Sequence, residues 1–367
     1  MFHLVKMKIA ILVTYLTGGG AEHVAALWAK GFEQQGKDVI VVMNTDVETV
    51  SYPLPLNVKI LNIYKKECRI WKELGFGLVS RLRNILKTEK PDYIICVLPS
   101  WCQIAWRASR KLNISIIDTE HNAFERPKEA PMHWRERLQK FYFSRLADYT
   151  TVLTNSDYQI VKKKRSTVSV LPNPLTYEPV KVIPQKEKII LACGRLDVWY
   201  TKGFDLLIKS WGDIANHHDG WKLIIAGGGQ EKNKKMLYKI AQDEGLTKRN
   251  FEMIGWCDDM LALYQKSAIF VLSSRFEGFG LALTEAMSQG CACIACDYNS
   301  RQADIISHKV DGILVPTDNV NVLSSSISKL IMDTDLRLLL QKNAIKRSYD
   351  FLLPNIMKKW DEIMKKI

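Results

Sequence analysis

The sequence contains no apolar run long enough to cross a membrane. Its apolar runs are short, such as AIFVL at 268–272, whereas a spanning helix needs roughly 18 to 20 apolar residues. The beginning, MFHLVKMKIAILVTYLTGGGAEH, has the positive end and apolar centre of a signal peptide. However, its apolar part has the length of a strand and leads into three glycines and a helical pattern. We interpret it as a buried first strand and expect a chain that does not span a membrane.

A complete set of metal ligands is also missing. The eight cysteines are typical of a reducing compartment rather than of a disulfide scaffold in a chain of this length. Cys291, Cys293 and Cys296 include a CxxC spacing, but neither a second cysteine pair nor a nearby histidine completes a ligand set. Because CACIAC alternates small apolar residues, it favours a buried strand over a metal or redox site.

Two common nucleotide motifs are absent. No GxGxxG is followed by a clear acidic residue on the next strand, and no GxxxxGK[ST] occurs, which disfavours a dinucleotide dehydrogenase and an NTPase. Glycine turns do follow strands at 18–20, at 227–229 and at 278 with 280. Such turns suit phosphate because backbone amides and a helix start approach the ligand closely, although many of them bind nothing.

The formal charge of +13 is unevenly distributed. Residues 1–180 carry 26 Lys or Arg against 17 Asp or Glu, a balance of +9, and the rest carry 26 against 22, a balance of +4. The first half is therefore expected to meet an anionic partner. Nucleic acid is disfavoured because no binding motif accompanies the charge.

Strand-like and helix-like runs alternate along the chain, which predicts α/β domains with mainly parallel sheets. Four prolines interrupt the alternation within 171–187 and indicate a linker. We predict two doubly wound, Rossmann-like domains facing each other across a cleft. Their boundaries are an N-terminal domain at 1–172, a linker at 173–187, a C-terminal domain at 188–349, and a last helix at 350–367 that is able to cross back to the first domain.

Two pairs of charged residues accompany the glycine turns of the second half. In CGRLDVWYTKGFD, Arg195 follows a strand and Lys202 precedes a helix, so the two cations suit a diphosphate. The alternative is a solvated lysine in a surface ion pair. In RFEGFGLALTEA, Glu277 and Glu285 lie eight positions apart around two glycines.

Together these segments resemble a known family. GRLDVWYTKGFD, AGGGQE and the E-x7-E pattern EGFGLALTE are similar to those of the retaining nucleotide-sugar glycosyltransferases of the GT-B fold, family 4. TGGGAEHVA, TEHN and LPNPL extend the resemblance over nearly the whole chain. An α/β protein of GT-B fold is therefore expected.

The resemblance implies a role for each matching position. Glu277 would contact donor-sugar hydroxyls and Glu285 the nucleotide ribose, with a helix that starts near Gly278 pointing amides at the diphosphate. Arg195 and Lys202 would stabilise the departing diphosphate. The remaining implied positions are His121, Phe279 and Gly280 for the donor sugar, Gly19, Gly20, Gly280 and Leu281 for the diphosphate, and Gly228 and Trp256 for the nucleobase.

The resemblance also implies retention of anomeric configuration, by same-face attack assisted by the leaving diphosphate. The family commonly needs no metal, and none of the glycine turns carries a DxD motif, so we predict transfer without metal or cofactor, from a UDP-linked hexose or N-acetylhexosamine. His121 has an alternative role as a structural histidine. Where many relatives have a glycine pair, this chain has Asn299, Ser300 and Arg301, which leaves the identity of the sugar open.

Two basic, aromatic stretches suggest the acceptor side. Residues 64–90 carry eight cations against three acids. Residues 133–149 place aromatic and apolar side chains among arginines and a lysine. Such helices suit an anionic membrane surface or a lipid diphosphate, and a solvated basic face is the alternative. The positions assigned to the acceptor or membrane are Trp134, Arg135, Arg137, Lys140 and Phe141.

We therefore expect a peripheral enzyme on the cytoplasmic face of the cell membrane that extends a glycan of the O-antigen, capsule or lipopolysaccharide type. Its acceptor would be a polyprenyl-diphosphate-linked or other cell-surface glycan. Two alternatives remain open: a UDP-sugar epimerase of GT-B fold, and a non-catalytic protein that binds a nucleotide sugar.

Overall fold

The computed structural model describes residues 6–45, 50–64, 76–128 and 131–367. The chain divides into two compact units. Unit 1 contains the described residues of Met1–Glu125, Pro131–Pro174 and Leu353–Ile367. Unit 2 contains those of Arg126–Ala130 and Leu175–Leu352.

Unit 1 is built on a seven-stranded parallel sheet with the order β3-β2-β1-β4-β5-β6-β7. The central strands form because short β-branched runs are buried on both faces, as in β1, where the last five of six residues are buried. The strands are β1 Lys8–Val13, β2 Asp38–Met43, β3 Lys59–Asn62, β4 Tyr93–Val97, β5 Ser115–Thr119, β6 Tyr149–Val152 and β7 Val168–Val170. The helices of this part are α1 Gly20–Gln34, α2 Phe76–Glu89, α3 Cys102–Ser109, α4 Trp134–Phe141 and α5 Asn155–Val161.

Unit 2 repeats the plan with a six-stranded parallel sheet in the order β10-β9-β8-β11-β12-β13. Its strands are β8 Glu187–Cys193, β9 Lys222–Ala226, β10 Phe251–Gly255, β11 Ser267–Leu272, β12 Ala292–Asp297 and β13 Ile313–Pro316. Its helices are α6 Trp199–Lys202, α7 Phe204–Gly212, α8 Glu231–Asp243, α9 Met260–Lys266, α10 Leu281–Ser288, α11 Val320–Met332 and α12 Thr334–Ser348. Because all strands run in one direction, the loops that follow β8, β9 and β11 lie at the same edge of this sheet.

The last helix, α13 Leu353–Met364, belongs to unit 1. Trp360 packs edge-on against Trp28 of α1, with ring centroids 5.1 Å apart, and also lies 5.5 Å from the ring of Phe32. All three rings are buried. The end of the chain therefore completes the apolar core that its beginning started.

The predicted fold class is confirmed: both sheets are parallel and covered by helices. The apolar opening segment forms the buried β1, and Cys291, Cys293 and Cys296 are buried in or next to β12. No group of three or more His, Cys, Asp or Glu suited to a metal occurs among the described residues. Nor does any helix of the described part have the length and apolar character that crossing a membrane requires.

Two local predictions differ from the structure. The strand β7 was not predicted, because it has only three residues, at the edge of the sheet, between a basic run and the prolines. The helix expected near Gly278 begins instead at Leu281. Gly280 has φ of 98°, in the left-handed region, and therefore stands outside the helix as its N-cap.

Candidate active site

The centre of the candidate site is an ion pair at the strand edge of unit 2. Lys202, at the end of α6, donates from Nζ to Oε1 of Glu277 at 2.6 Å. Ser274, in the loop after β11, donates from Oγ to the same carboxylate oxygen at 2.7 Å. The lysine and glutamate side chains are 23% and 15% exposed, so both are partly open to a ligand. The structure thus brings together a cation and a carboxylate for which the sequence predicted separate roles.

A neighbouring arginine fixes the loop that carries Glu277. Arg275 binds both carboxylate oxygens of Asp205 at 2.8 and 2.9 Å, and its Nε donates to Asp318 at 2.7 Å. It also donates to the backbone oxygen of Tyr200 at 2.7 Å and stacks on that tyrosine ring at 4.0 Å. Planar, bidentate bonding of this kind holds geometry as well as charge. Arg275 therefore fixes the loop against α6 and α7.

The first turn of α10 supplies free amides beside this loop. Gly280 has no side chain to cap the helix, and the first amides of any helix lack intrahelical acceptors. Phe279 buries its ring against Phe351, with centroids 5.7 Å apart, so its backbone rather than its side chain is available to a ligand. From Leu281 the helix brings Glu285 about one turn further along its axis.

Glu285 is enclosed by polar groups from other elements. The hydroxyl of Tyr264, on α9, donates to its Oε2 at 2.9 Å. Burial raises the pKa of the Glu285 carboxyl, and the hydroxyls of Thr176 and Tyr264 oppose the shift. Glu285 is therefore not a solvated surface glutamate.

The glycine turn after β9 serves close packing. A Cβ on Gly227 would lie 1.9 Å from the backbone oxygen of Gly194, and one on Gly229 would lie 2.6 Å from Cβ of Leu196. Gly228 instead faces Trp256, whose Cε3 would lie 3.9 Å from such a Cβ. The ring of Trp256 is 69% exposed. The two residues assigned to the nucleobase are thus neighbours.

Arg195 follows β8 at the same edge. Its side chain is exposed and makes no hydrogen bond to another residue in the part of the chain that the structure describes. The adjacent Asp197 is held by the amide of Gln230 and the side chain of Asn233, both at 2.8 Å. These hydrogen bonds hold the pKa of Asp197 below its usual value. Arg195 is therefore a cation whose guanidinium is accessible to an anion.

His121 lies in unit 1, just after β5. Its Nε2 is 3.2 Å from Oγ1 of Thr119, and that hydroxyl donates to the backbone oxygen of Cys96 at 2.9 Å. Because the hydroxyl has only one proton, it accepts from Nε2–H, which leaves Nδ1 without a proton. Burial lowers the pKa of His121 to about 4, so the ring is neutral at physiological pH.

The first glycine turn of unit 1 is occupied by a side chain of its own helix. Gly19 is the N-cap of α1, and Gly20 is its first residue. A Cβ on Gly19 would lie 1.8 Å from Oε2 of Glu22. A carboxylate therefore already covers this helix start, and the assignment of both glycines to the diphosphate stays a prediction.

The basic segment 133–149 presents one face outward and one inward. Trp134, Leu138 and Tyr142 are 62%, 41% and 63% exposed, at the i, i+4 spacing that aligns side chains along one helix face. Arg135 lies 5.3 Å over the ring of Trp134, and Arg137 is exposed nearby.

One of the assignments to that surface, Lys140, is corrected by the structure, and Phe141 is only partly exposed. Lys140 is buried, where it pairs with Glu120 at 3.3 Å and donates to the backbone oxygens of Asn122 and Ala123. Phe141 packs against Phe124, with centroids 5.7 Å apart. Lys140 points into unit 1 because its ammonium group neutralises the buried Glu120, and the apolar ring of Phe141 packs against that of Phe124. Of the other basic stretch, 64–90, residues 65–75 lie outside the described part.

The segment that departs from the family pattern keeps a glycine-like backbone. Asn299 and Ser300 have φ of 51° and 57°, in the left-handed region that residues other than glycine rarely adopt. Arg301 follows and is fully buried. The loop after β12 therefore holds two consecutive strained residues.

Three residues of the site were not identified from the sequence: Arg275, Tyr264 and Thr176. Arg275 stands two positions before the E-x7-E pattern, and this adjacency was its only available signal. Tyr264 lies in α9, and Thr176 lies in the segment 173–187 that was predicted as a linker. Their approach to Glu285 depends on tertiary packing. Local spacing could not have found these two residues.

Comparison with known proteins identifies the family. Residues 176–347 match the family model described as Glycosyl transferases group 1, and residues 18–178 match the one described as Glycosyltransferase Family 4. The two matches together extend over most of the chain.

Relatives match along nearly their whole length. A Campylobacter jejuni GalNAc-alpha-(1->4)-GalNAc-alpha-(1->3)-diNAcBac-PP-undecaprenol alpha-1,4-N-acetyl-D-galactosaminyltransferase is 25% identical, over 98% of this chain and 99% of the relative. The lipopolysaccharide 1,6-galactosyltransferase of Escherichia coli is 24% identical over 89% of each chain. The structure of Anabaena HepE in complex with UDP and glucose superposes with a TM-score of 0.79 and 18% identity, over 98% of this chain and all of that one. This superposition supports the GT-B fold.

Proposed function

The chain belongs to the group 1, family 4 glycosyltransferases, and we propose that it transfers a hexose or N-acetylhexosamine from a UDP-linked donor to a cell-surface glycan. The observation that carries the proposal is the convergence of Lys202, Glu277 and the first turn of α10 at one edge of the unit 2 sheet. The relatives that act on an undecaprenol-linked glycan and on lipopolysaccharide support the acceptor class. The complex of HepE with UDP and glucose supports the donor class.

The described residues fit the parts of such a donor in order. Glu277 accepts hydrogen bonds from sugar hydroxyls, and the free amides at Gly280 and Leu281 face the diphosphate. Glu285 lies about 6 Å further along α10, four residues at about 1.5 Å each, where it accepts from the ribose. The exposed ring of Trp256 beside Gly228 offers a face for the nucleobase.

The reaction forms one glycosidic bond to the acceptor and breaks the bond between the anomeric carbon and the diphosphate oxygen of the donor. An acceptor hydroxyl oxygen attacks the anomeric carbon on the face from which the diphosphate departs, and its proton passes to the departing diphosphate oxygen. That oxygen keeps the electron pair of the broken carbon–oxygen bond. Configuration is retained because attack and departure take place on the same face of the anomeric carbon. Arg195 and Lys202 stabilise charge that develops mostly in the transition state, which lowers the barrier rather than only tightening binding.

A donor screen tests the proposal. Purified protein is incubated with a panel of UDP, GDP and other nucleotide sugars in EDTA, and thermal shift and slow donor hydrolysis are measured. We expect one UDP-sugar to stabilise the protein and to be hydrolysed, and Lys202→Ala to lose both effects. Lys222→Ala, which breaks a surface ion pair with Glu252 elsewhere in unit 2, is the matched control. A panel in which no nucleotide sugar binds or reacts, even with added Mg²⁺, overturns the proposal.

The acceptor side is proposed to lie on an anionic membrane surface at the cytoplasmic face. The outward stripe of Trp134, Leu138 and Tyr142, with Arg135 and Arg137 beside it, combines apolar and cationic groups as interfacial binding requires. Cosedimentation with anionic and neutral vesicles tests this surface. We expect Trp134→Ser with Leu138→Ser to abolish the preference for anionic vesicles. Leu338→Ser with Leu339→Ser, at exposed positions of unit 2, should leave it intact, and equal sedimentation of the wild type with both vesicles contradicts the assignment.

A further inference from the structure

The Glu285 carboxylate is held by a chain of hydrogen bonds that joins three elements of unit 2. Tyr264, on α9, is 1% exposed and donates to Oε2 of Glu285 at 2.9 Å. Cys193, the last residue of β8, places its Sγ 3.3 Å from the same tyrosine hydroxyl. The ends of β8 and α9 therefore meet at a carboxylate of α10.

The hydrogen bonds from Cys193 to Tyr264 and from Tyr264 to Glu285 are donated in one consistent direction. An ionised carboxylate only accepts, so the single hydroxyl proton of Tyr264 goes to Glu285, and the thiol proton of Cys193 goes to the tyrosine oxygen. Burial raises the pKa of the Tyr264 hydroxyl well above its usual value and that of the Cys193 thiol to about 12. Both groups therefore keep their protons at neutral pH and act as donors.

This direction has a consequence for the glutamate. With Oε2 fixed by Tyr264, the carboxylate cannot turn freely, and Oε1 is the oxygen that Tyr264 leaves to other donors. A carboxylate of fixed orientation discriminates between ligands that present a hydroxyl to it and ligands that do not, because the latter leave this partly buried carboxylate with only the Tyr264 and Thr176 hydroxyls as donors.

We propose that Tyr264, supported by Cys193, is a positioning residue that aims Oε1 of Glu285 at a ribose hydroxyl of the nucleotide. The inference rests on the proposed function and deepens it, since it assigns to this chain a residue that determines recognition of ribose over deoxyribose. Tyr264 itself does not touch the nucleotide and acts only through Glu285.

The test measures binding of UDP, 2′-deoxy-UDP and 3′-deoxy-UDP by calorimetry at pH 8. For the wild type we expect one deoxy analogue to bind about tenfold or more weakly than UDP. Tyr264→Phe should weaken the binding of UDP about five- to tenfold but change the affinity for that analogue by no more than about twofold. The discrimination between UDP and the analogue is then lost. In a Glu285→Gln background, Tyr264→Phe should add less than about twofold, because the two residues act as one unit.

Controls separate positioning from simple structural support. Tyr149→Phe removes another buried tyrosine hydroxyl, which bonds Ser169 at 2.8 Å in unit 1, and it should leave discrimination intact. Cys193→Ser keeps a donor and should retain discrimination, whereas Cys193→Ala should lower it. If Tyr264→Phe weakens UDP and both analogues equally, or weakens none of them, the positioning role is overturned.

The same experiment separates this inference from the donor proposal. If the wild type does not bind UDP, the proposal of a UDP-linked donor is wrong. The same variants are then compared in their binding of the nucleoside diphosphate that the donor screen identifies and of its deoxy analogues. If UDP binds but neither deoxy analogue is weakened, the donor class stands and the inference about Tyr264 and Glu285 is wrong.

Discussion

Lys202 and Glu277 form a 2.6 Å ion pair, although one is assigned to the diphosphate and the other to the sugar. The pair keeps the glutamate in place at the loop after β11, and it gives the lysine a partner that a diphosphate must share or replace. Removal of either residue therefore also changes the environment of the other, and the two roles have to be separated by the choice of ligand.

The first prediction uses UDP, which carries the diphosphate but no sugar. We expect Lys202→Ala to weaken UDP binding and to lower kcat/KM for the UDP-sugar by on the order of 10²-fold or more, as for loss of a transition-state charge partner. Glu277→Gln should lower kcat/KM by a similar factor while changing UDP binding less than about threefold. Calorimetry with UDP and steady-state rates provide the two readouts. Equal weakening of UDP by both variants contradicts the separate assignment of the two residues.

The second prediction concerns the arginine that fixes the loop. Arg275→Met should lower the free energy of unfolding by about 2 to 4 kcal/mol, because it leaves the partly buried Asp205 without its bidentate partner. Lys222→Met, in the exposed pair with Glu252, should cost about 1 kcal/mol or less. Urea unfolding followed by circular dichroism gives both values. Similar values for the two variants would show that Arg275 does not anchor the loop.

The third prediction follows from the buried Asp118 of β5. Burial and the neighbouring Glu120 raise its pKa to about 7, whereas an aspartate in an unfolded chain titrates near about 4. Between these values the folded state holds a proton that the unfolded state has lost, so the stability contributed by Asp118 falls as pH rises from about 4 to about 7.

Asp118→Asn removes this titration. We expect its effect on the free energy of unfolding to be more favourable at pH 8 than at pH 5 by on the order of 2 kcal/mol. The exposed Asp219→Asn serves as the control and should show no such difference. The measurement is urea unfolding at the two pH values. The same effect of Asp118→Asn at both would mean that this carboxyl titrates normally.

The fourth prediction concerns the strained loop after β12. Ser300 has φ of 57°, a conformation that costs a residue with a Cβ about 1 to 2 kcal/mol. Ser300→Gly should therefore raise the free energy of unfolding by about 0.5 to 1 kcal/mol after the entropy of glycine is allowed for. Ser166→Gly, at an exposed position without positive φ, should destabilise slightly. Thermal unfolding distinguishes the signs, and destabilisation by Ser300→Gly would exclude strain at this position.

Most of the fold was predictable because a parallel sheet buries its strands on both faces, so apolar runs such as that of β1 mark them directly. The strand β7 was not, since three residues at a sheet edge have too little apolar content to stand out. The helix α10 also begins later than predicted. One glycine in the left-handed region decides where this helix begins, and the amino-acid sequence alone does not give the value of φ.

The candidate site was predictable where residue type and spacing suffice. Glu277 and Glu285 stand at a fixed distance in the chain, and Lys202 adjoins a helix start. The pairing of Lys202 with Glu277 was not predicted, because the two residues are 75 positions apart. Lys140 was assigned to the surface for the same reason: its partner, Glu120, lies on another segment, and periodicity does not reveal which buried charge a lysine neutralises.

The place of Trp360 between Trp28 and Phe32 has a consequence for synthesis on the ribosome. A nascent chain made as far as Leu352 holds every strand that the structure describes in the two sheets, but it lacks the helix that covers α1. Unit 2, apart from the short segment 126–130, is continuous in sequence and lies wholly within that length. Unit 1, whose strands emerge first, is finished last.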